Sequence, residues 1–479
     1  MSAHPTERTS AQPTTISHEV HSEEVKAGEQ RRKEAHPDKV KEAERRYRAA
    51  IIKRQRLSMR SSKPAFFQRL GWLVAFAAGL AWAFAAFHLR SPYLLRFRDQ
   101  AFWIWTAAGI MALAWMLVRR KTTFRRLTPL HVVFFAALAG SVLSAHGRWQ
   151  HEHHRRLVSN TAPSAMPQVS RHLIIGWLGL EQTRALAAKG AIAGVFLTHR
   201  DFPTGSTTRD IRHVVDGLQD VRNQAGLPLL WIVTDQEGGP VEKLSPPLPR
   251  QPALGRLIAG LDRNDMISKV TAYAEAQGLA LAEAGITMNF SPVVDLMPDL
   301  EPGALDLHSR IARRALSADP EIVTLAAEAY VKTLERHGIK SILKHFPGLG
   351  GVPQDTHHFA ASLHTPLSEL ESRDWVPFRK ITSTTNAGIM LGHVKITALD
   401  PVNPASCSRT IMQDLLRGSW RTTGLLVTDD FSMTPIFHGR GGISAAAETS
   451  LAAGVDLILL SYDAEAVYDL IASSISAHR

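Results

Sequence analysis

The stretch PEIVTLAAEAYVKTLERHGIKSILK, residues 320–344, contains the structural unit from which we predict the fold. Its first part, Pro320–His337, has the apolar spacing of an amphipathic helix, and Lys340–Lys344 is a short apolar run typical of a strand. The same order occurs upstream, where the amphipathic stretch Ile267–Ala284 precedes the candidate strand Ile286–Phe290. Helices that alternate with short apolar strands predict a parallel sheet.

This unit repeats over the last part of the chain, from about residue 168 to residue 479. Eight candidate strands can be identified there: His172–Leu178, Ala193–Leu197, Leu229–Thr234, Ile286–Phe290, Lys340–Lys344, Gly388–Leu391, Gly424–Thr428 and Asp456–Leu460. About eight repeats over roughly 310 residues suit a closed barrel better than an open sheet. We therefore predict an α/β fold in which 168–479 forms a (β/α)8 TIM-type barrel, or a modified form of one.

Composition and charge narrow the classes of protein to consider. The chain of 479 residues is 45% hydrophobic and 21% charged, which indicates a folded protein of two or three units. Its one cysteine, Cys407, excludes an internal disulfide and a multi-cysteine zinc site. The formal net charge is +11, yet residues 1–156 hold 27 Lys and Arg against 11 Asp and Glu, so the remainder is slightly acidic. The basic charge thus lies outside the barrel, and we expect no nucleic-acid partner.

The chain before the barrel is predicted to enter a lipid bilayer. Residues 1–64 form a basic polar tail, in which 1–37 is expected to be disordered and about 38–60 to form a basic helix. A membrane region at 65–146 follows, and its three mostly apolar, uncharged stretches lie at about 70–89, 101–118 and 130–145. Because soluble core helices rarely stay apolar all round for this long, these stretches favour an all-α region of three transmembrane helices.

Basic residues beside these stretches predict the orientation. Ten Lys and Arg lie within 38–63, three lie between the first two stretches and five lie between the second and third. The tail and the second connection should therefore lie in the cytoplasm. Three spans through the inner membrane would place the barrel in the periplasm, whereas it would be cytoplasmic if 130–145 does not cross.

A linker is predicted at 147–167, between the membrane region and the barrel. It contains His151, His153 and His154, which could bind a metal ion. No second cluster at ligand spacing is visible in the sequence, so we predict no metal site there.

Polar and ionisable residues follow five of the candidate strands. They are Asp235 and Glu237 after the third strand, Asp295 after the fourth, Lys344 and His345 at the end of the fifth, His393 after the sixth, and Asp429 and Asp430 after the seventh. A single residue of this kind is more often structural. Because barrel active sites form at the carboxyl ends of the strands, five such ends together predict a functional site.

Several of these segments resemble sequence blocks of the glycoside hydrolase family 3 β-N-acetylglucosaminidases. The run KHFPGLG at 344–350, followed after four residues by Asp355-Thr356-His357, is similar to the long active-site loop of that family. Further similar blocks occur in the same order: DQEGG at 235–239, NFSPVVD at 289–295, Arg314 through Asp319-Pro320, and VTDDFSM at 427–433. The resemblance covers about 168–479 and does not include the membrane region.

The resemblance implies a retaining glycosidase that acts on a carbohydrate substrate without a metal or an organic cofactor. It implies that Asp429 is the nucleophile and that His357 and Asp355 form an acid/base dyad on a mobile loop. Adjacent residues of an extended strand point in opposite directions, so Asp430 is not expected to share the pocket with Asp429. A histidine suits the acid/base role because it titrates near neutral pH.

The same resemblance implies four substrate-binding residues, Asp235, Arg314, Lys344 and His345. His393 is added as a further candidate because it lies at a strand end. Lys344 and Arg314 could instead form structural ion pairs with Asp235 or Asp295, and His393 could be a core histidine. Two other positions depart from the family pattern, which usually has His where this chain has Leu349 and Arg where it has Pro240. These departures concern substrate detail more than catalysis.

Three functions are compatible with these residues. The first is a membrane-anchored hydrolase that removes terminal β-linked N-acetylglucosamine from peptidoglycan fragments or related amino-sugar oligomers. The second is a β-N-acetylglucosaminide phosphorylase on the same fold, since a histidine acid/base leaves no second carboxylate to repel phosphate. The third is a non-catalytic sugar-binding domain on a membrane stem, which would not need Asp355, His357 and Asp429.

Overall fold

A closed barrel of eight parallel strands forms the centre of the computed structural model. The structure describes residues 39–56, 129–298 and 309–477, together with isolated helical positions between 70 and 114. In order around the barrel, its strands are β1 (Leu173–Gly176), β2 (Gly194–Phe196), β3 (Trp231–Thr234), β6 (Met288–Asn289), β7 (Lys340–Phe346), β9 (Gly388–Leu391), β11 (Leu426–Asp430) and β12 (Leu457–Leu460). Pairing of β12 with β1 closes the ring.

Four further strands lie outside the ring. The short strands β4 (Gln236–Gly238) and β5 (Val241–Glu242) form an antiparallel hairpin directly after β3. The strands β8 (Ala361–Leu363) and β10 (Val394–Ile396) pair in parallel beside the barrel. Both additions follow barrel strands at their carboxyl ends, where the predicted site residues lie.

A helical segment follows each barrel strand, and the first seven of these segments return the chain to the start of the next strand. Seven of these are the α-helices Leu180–Ala188, Thr208–Gln224, Arg263–Glu283, Pro320–Arg336, Trp375–Thr384, Gly442–Ala453 and Ala466–Ala477, and the sixth in chain order is the π-helix Thr410–Ser419. Shorter α-helices are Leu254–Ile258, Ile311–Arg314, Leu367–Ser372 and Thr434–Phe437. The long helix Pro129–Asn160 precedes the barrel.

Two apolar cores stabilise this architecture. The barrel interior is filled by side chains from alternating strand positions, among them Ile174, Phe196, Val233, Ile342 and Val427. The larger core lies between the strands and the surrounding helices. Successive residues of each strand point alternately into the barrel and toward the helices. Because both faces of a barrel strand are covered, one apolar run contributes to both cores.

The predicted barrel is confirmed. Each of the eight candidate strands corresponds to one observed barrel strand, and every end differs by no more than two residues. The predicted amphipathic stretch Ile267–Ala284 lies within 1–4 residues of the helix Arg263–Glu283, and Pro320–His337 extends one residue beyond the helix Pro320–Arg336. The two small extra sheets were not predicted.

The membrane predictions receive no support from the described part of the chain. No helix within it is both long enough and apolar enough to cross a membrane, and this includes Pro129–Asn160, which contains the third predicted span at 130–145. The first two predicted spans, 70–89 and 101–118, lie largely outside the described residues, as does the tail at 1–37. Residues 39–56 form a helix with exposed side chains, within the 38–60 predicted for a basic helix.

The histidines of the predicted linker belong to the helix Pro129–Asn160. His154 Nδ1 lies 2.7 Å from Asp469 Oδ1, and His151 Nε2 lies 3.9 Å from Glu465 Oε2. The His154 contact joins this helix to the last helix of the barrel, and Glu465 lies directly before that last helix. Across the described residues, no three His, Cys, Asp or Glu side chains come together in a way that could hold a metal ion.

Candidate active site

The predicted site residues lie around one end of the barrel. Asp235 follows β3, Asp295 follows β6, Lys344 and His345 are in the last part of β7, and Asp429 is in the last part of β11. Because all eight barrel strands are parallel, their carboxyl ends face the same side. The topology therefore brings residues that are far apart in the chain to a single mouth.

A buried network of four charges forms one wall of this mouth. Lys344 Nζ lies 2.5 Å from Asp235 Oδ1 and 2.5 Å from Glu237 Oε1. Arg314 donates two hydrogen bonds to the same Glu237 carboxylate, from Nε to Oε2 at 2.9 Å and from Nη2 to Oε1 at 2.6 Å. Two cations thus face two carboxylates, so the network is neutral as a whole.

Burial and charge act in opposite directions on the two carboxylates of this network. Burial raises the pKa of Glu237, but the adjacent Arg314 and Lys344 outweigh it and hold the pKa well below its ordinary range. Burial also raises the pKa of Asp235, and there the attraction of Lys344 is too weak to reverse it, partly because Glu237 adds repulsion. Glu237 is therefore the carboxylate on which the network depends.

His345 is held by Asp295 on the neighbouring strand segment. Asp295 is fully buried, and its carboxylate accepts from the His345 backbone N–H at 3.1 Å and lies 2.7 Å from His345 Nδ1. The same carboxylate accepts from the backbone N–H of Leu349 at 2.8 Å. Leu349 is buried in the apolar core, so the base of the following loop is fixed at the point where the sequence departs from the family pattern.

The loop after β7 carries the predicted acid/base dyad. Asp355 is buried, and its Oδ1 lies 2.9 Å from His357 Nδ1 and accepts the His357 backbone N–H at 3.0 Å. His357 remains partly exposed, and its backbone carbonyl accepts from the Thr434 N–H at 3.2 Å. The neighbouring His358 is more distant, with Nε2 at 3.9 Å from Asp355 Oδ2. The structure thus places His357 closer to Asp355 than it places His358.

The two adjacent aspartates at the end of β11 have different surroundings. The Oδ2 atom of Asp430 accepts from Ser461 Oγ at 2.5 Å, from the Ser461 N–H at 2.8 Å and from the Tyr462 N–H at 2.9 Å. Its Oδ1 accepts from the Ser432 N–H at 2.7 Å. Asp430 therefore ties β11 to the segment after β12. Asp429 is partly exposed and is the member of the pair that can meet a ligand.

Three imidazoles lie close enough to Asp429 to influence its ionisation. Burial raises the pKa of Asp429, but the electrostatic effect of His345, His393 and His357 lowers it by more. The pKa of Asp429 is therefore below its ordinary value. Asp429 thus stays ionised although it is partly buried. An ionised carboxylate in such surroundings is suited to act as a nucleophile.

His393 differs from the other substrate-binding candidates. Its Nδ1 lies 2.9 Å from Ser406 Oγ, and its Nε2 lies 2.9 Å from the Asp430 carbonyl oxygen. Both ring nitrogens are thus engaged by the protein, and burial lowers the pKa of the ring. This geometry favours the alternative of a core histidine, which supports the strand that carries Asp429.

Sequence reasoning assigned no role to two residues of the site. Glu237, which lies within the quoted DQEGG block, received no role, although both predicted cations bind it. Ser309 was also overlooked, and its hydroxyl lies 2.9 Å from Asp355 Oδ1. The motif match contained a signal for Glu237, whereas Ser309 lies outside every quoted block.

The chain is similar to known proteins over the barrel. Residues 173–479 match the model of the glycosyl hydrolase family 3 N-terminal domain. A β-hexosaminidase of Nitrosomonas eutropha is 31% identical over 302 residues, which cover 63% of this chain and 82% of that protein. A β-hexosaminidase of Stenotrophomonas maltophilia is 32% identical over 296 residues, covering 60% of this chain and 83% of that protein.

Solved structures show the same relationship. NagZ from Neisseria gonorrhoeae is similar with a TM-score of 0.55 and 28% identity, over 64% of this chain and 86% of that chain. A β-N-acetylhexosaminidase from Beutenbergia cavernae gives a TM-score of 0.57 and 26% identity, over 66% and 92% of the two chains. The chain belongs to glycosyl hydrolase family 3, and it is a β-hexosaminidase-type glycosidase that hydrolyses O-glycosyl bonds.

Proposed function

We propose that the enzyme removes terminal β-linked N-acetylglucosamine from peptidoglycan fragments or related amino-sugar oligomers, with retention of configuration. Asp429 is the nucleophile, and His357 with Asp355 is the acid/base dyad. The observation that carries this proposal is the contrast at the end of β11. Asp430 is committed to four hydrogen bonds, whereas Asp429 is partly exposed and lies in the field of three imidazoles.

The reaction proceeds in two steps that each break one bond at the anomeric carbon. First, an Asp429 oxygen attacks this carbon while His357 gives a proton to the glycosidic oxygen, and the leaving sugar departs. The result is a glycosyl ester on Asp429. His357 then accepts a proton from water, the water oxygen attacks the same carbon, and Asp429 leaves as a carboxylate. Two inversions give net retention.

The hydrogen-bond pattern suits His357 for both proton transfers. Its Nδ1 faces Asp355 Oδ1 at 2.9 Å, so a proton on Nδ1 is held by the carboxylate. Nε2 is then the nitrogen that gives and takes the transferred proton. The buried Asp355 also stabilises the charged ring, which lowers the energy of the protonated acid before the first step.

Asp235, Lys344, Arg314 and His345 are the proposed sugar-binding groups. They combine donors and an acceptor in a buried setting, which suits sugar hydroxyls and an N-acetyl group. Support also comes from a related protein, since one solved NagZ structure from Neisseria gonorrhoeae is a complex with N-trifluoroacetyl-D-glucosamine. His393 takes no direct sugar contact in this proposal because both of its ring nitrogens are engaged.

The test is hydrolysis by the full chain of a chromogenic β-N-acetylglucosaminide, with and without phosphate. We expect Asp429→Asn to lower kcat/KM by several orders of magnitude, and Asp414→Asn, at an exposed carboxylate, to leave it unchanged. Release of the β-anomer of free sugar supports retention, whereas a phosphate-dependent sugar phosphate would replace the hydrolase with the phosphorylase. Cleavage of a defined peptidoglycan fragment in preference to a chitin disaccharide tests the natural substrate.

We further propose that residues before the barrel attach the enzyme to a membrane. Support comes from the sequence, in the uncharged stretches 70–89 and 101–118 and in the basic residues beside them. The full chain should remain in the membrane pellet after alkaline carbonate extraction, whereas residues 157–479 should not. Protease digestion of intact and opened spheroplasts then reports the side on which the barrel lies. Recovery of the full chain in the soluble fraction would contradict attachment.

A further inference from the structure

We propose that Ser309 is a positioning residue for the acid/base dyad. It fixes the position of the dyad relative to the sugar-binding residue Arg314. This inference rests on the proposed roles of His357 and Asp355. Ser309 lies outside the sequence blocks that were quoted for the family resemblance. Its role is inferred from its contacts alone.

Ser309 connects two parts of the site, the acid/base dyad and the charged network around Glu237. Its hydroxyl donates to Asp355 Oδ1 at 2.9 Å and lies 3.5 Å from His357 Nδ1. Its backbone carbonyl accepts from Arg314 Nη1 at 2.8 Å. Since Arg314 is also held by both oxygens of Glu237, Ser309 is attached to the charged wall of the mouth on one side and to the dyad on the other.

The position of Ser309 is itself well fixed. Its exposed fraction is 6%, and the next residue, Arg310, has a φ of 44°, which turns the chain into the short helix Ile311–Arg314. Arg314 at the end of that helix reaches back to the Ser309 carbonyl. The turn and the ion pair of Arg314 therefore define where the Ser309 hydroxyl lies.

The contacts between the two dyad residues are local, so contacts from other segments, such as the Ser309 hydroxyl on Asp355 and the Thr434 N–H on the His357 carbonyl, must place the dyad relative to the barrel. Asp355 and His357 are two residues apart, so their mutual hydrogen bonds orient the ring relative to the loop but not relative to the barrel. The Ser309 hydroxyl binds Asp355 from a different segment of the chain. A charge-assisted hydrogen bond of this kind both holds the carboxylate in place and favours its ionised form.

The leaving group of the substrate provides a readout that a purely structural role would not affect. A sugar leaving group needs the proton from His357, whereas 2,4-dinitrophenolate is stable enough to leave without it. The ratio kcat/KM reports the first chemical step for both. We expect Ser309→Ala to lower kcat/KM about 10- to 100-fold for a β-N-acetylglucosaminyl disaccharide, as loss of one charge-assisted hydrogen bond predicts, and about 2-fold or less for the dinitrophenyl glycoside.

Four control variants of the full chain make the result specific. Ser309→Thr keeps the hydroxyl and should restore much of the disaccharide activity. Ser309→Cys keeps the volume with a weaker donor, and it replaces the alanine variant if that variant shows a lowered melting temperature. Ser170→Ala removes another buried hydroxyl, which has no hydrogen-bond partner among the described residues, and should leave the activity toward both substrates unchanged. His357→Ala should also lose more kcat/KM for the disaccharide than for the dinitrophenyl glycoside, and this difference should be larger than in Ser309→Ala.

Two outcomes would overturn different claims. Equal losses for both substrates in Ser309→Ala, or no loss for either, would refute the role of Ser309 if His357→Ala still discriminates between them. If His357→Ala itself shows no dependence on the leaving group, the acid/base assignment fails, and the role of Ser309 fails with it.

Discussion

Glu237 offers the sharpest test of the charged wall, because it binds two buried cations at once. Its carboxylate accepts from Arg314 at 2.6 and 2.9 Å and lies 2.5 Å from Lys344 Nζ. The side chains of Lys344 and Arg314 are only 2% and 6% exposed. The substitution Glu237→Gln keeps the shape of this side chain and removes its charge, so the network is left with one excess positive charge out of water.

The expected loss of stability follows from the cost of an uncompensated buried charge. Breaking a buried ion pair by removing one partner costs about 3–5 kcal/mol, and the amide oxygen of Gln offsets part of this, so we expect about 3 kcal/mol. For a domain of comparable size this corresponds to a fall in Tm of roughly 6–12 °C. Asp235→Asn is the matched control. This variant also leaves one excess positive charge, but the Asp235 side chain is 19% exposed against 6% for Glu237, and Lys344 keeps Glu237, so we expect only about 1 kcal/mol.

Urea unfolding followed by tryptophan fluorescence is a suitable assay, because Trp375 is buried within the barrel domain. The low pKa of Glu237 means that its stabilising effect is fully present above the ordinary value of 4.5 and is lost as the pH falls through its lower folded-state pKa. The difference between wild type and Glu237→Gln should therefore shrink below about pH 4.5. Equal midpoints for Glu237→Gln and Asp235→Asn at pH 7 would refute the reasoning.

Three further predictions concern the nucleophile and the loop. Because nearby imidazoles lower the pKa of Asp429, the acidic limb of the kcat/KM–pH profile should lie below pH 3.8, and a limb near 5 would contradict this. Asp430→Ala removes the acceptor of the Ser461 and Tyr462 contacts and should lower Tm by several degrees in thermal melts, whereas Asp429→Ala should not. In Gly350→Ala the new Cβ would lie 2.5 Å from the Leu296 carbonyl oxygen, so the base of the loop must shift. Steady-state kinetics should then show a fall in kcat of about 10-fold or more, because the dyad moves with the loop. An unchanged kcat would contradict a fixed loop base.

The barrel could be predicted from sequence because its signals are local. Each strand is a short apolar run followed by a polar residue, and each helix repeats its apolar positions with a regular spacing. The hairpin β4–β5 and the pair β8–β10 were missed because strands of two or three residues carry too little pattern. Their pairing depends on the tertiary structure around them.

The location of the site could be predicted from the sequence, but the contacts within it could not, because they join residues that are far apart in the chain. Residue types at strand ends indicated where chemistry could occur, but not which groups bind one another. The pairing of Lys344 with Glu237 spans about a hundred residues, and that of Ser309 with Asp355 spans 46 residues. Such contacts are set by the closure of the barrel and by the course of the loops, and neither is encoded in the spacing of nearby residues.

The anchoring of the dyad loop at both ends makes it an exchangeable module. At its start, Asp295 holds His345 and the Leu349 N–H, and at its end β8 pairs with β10. Between these fixed points, the residues outside the dyad can vary in length without moving the sugar-binding wall, whereas Asp355 and His357 are held by Ser309 and Thr434. Loops transplanted from other family members between Gly350 and Ala361 should thus change which leaving sugars are accepted while the terminal sugar is still recognised. Directed evolution of leaving-group preference in this enzyme can accordingly be confined to that short segment.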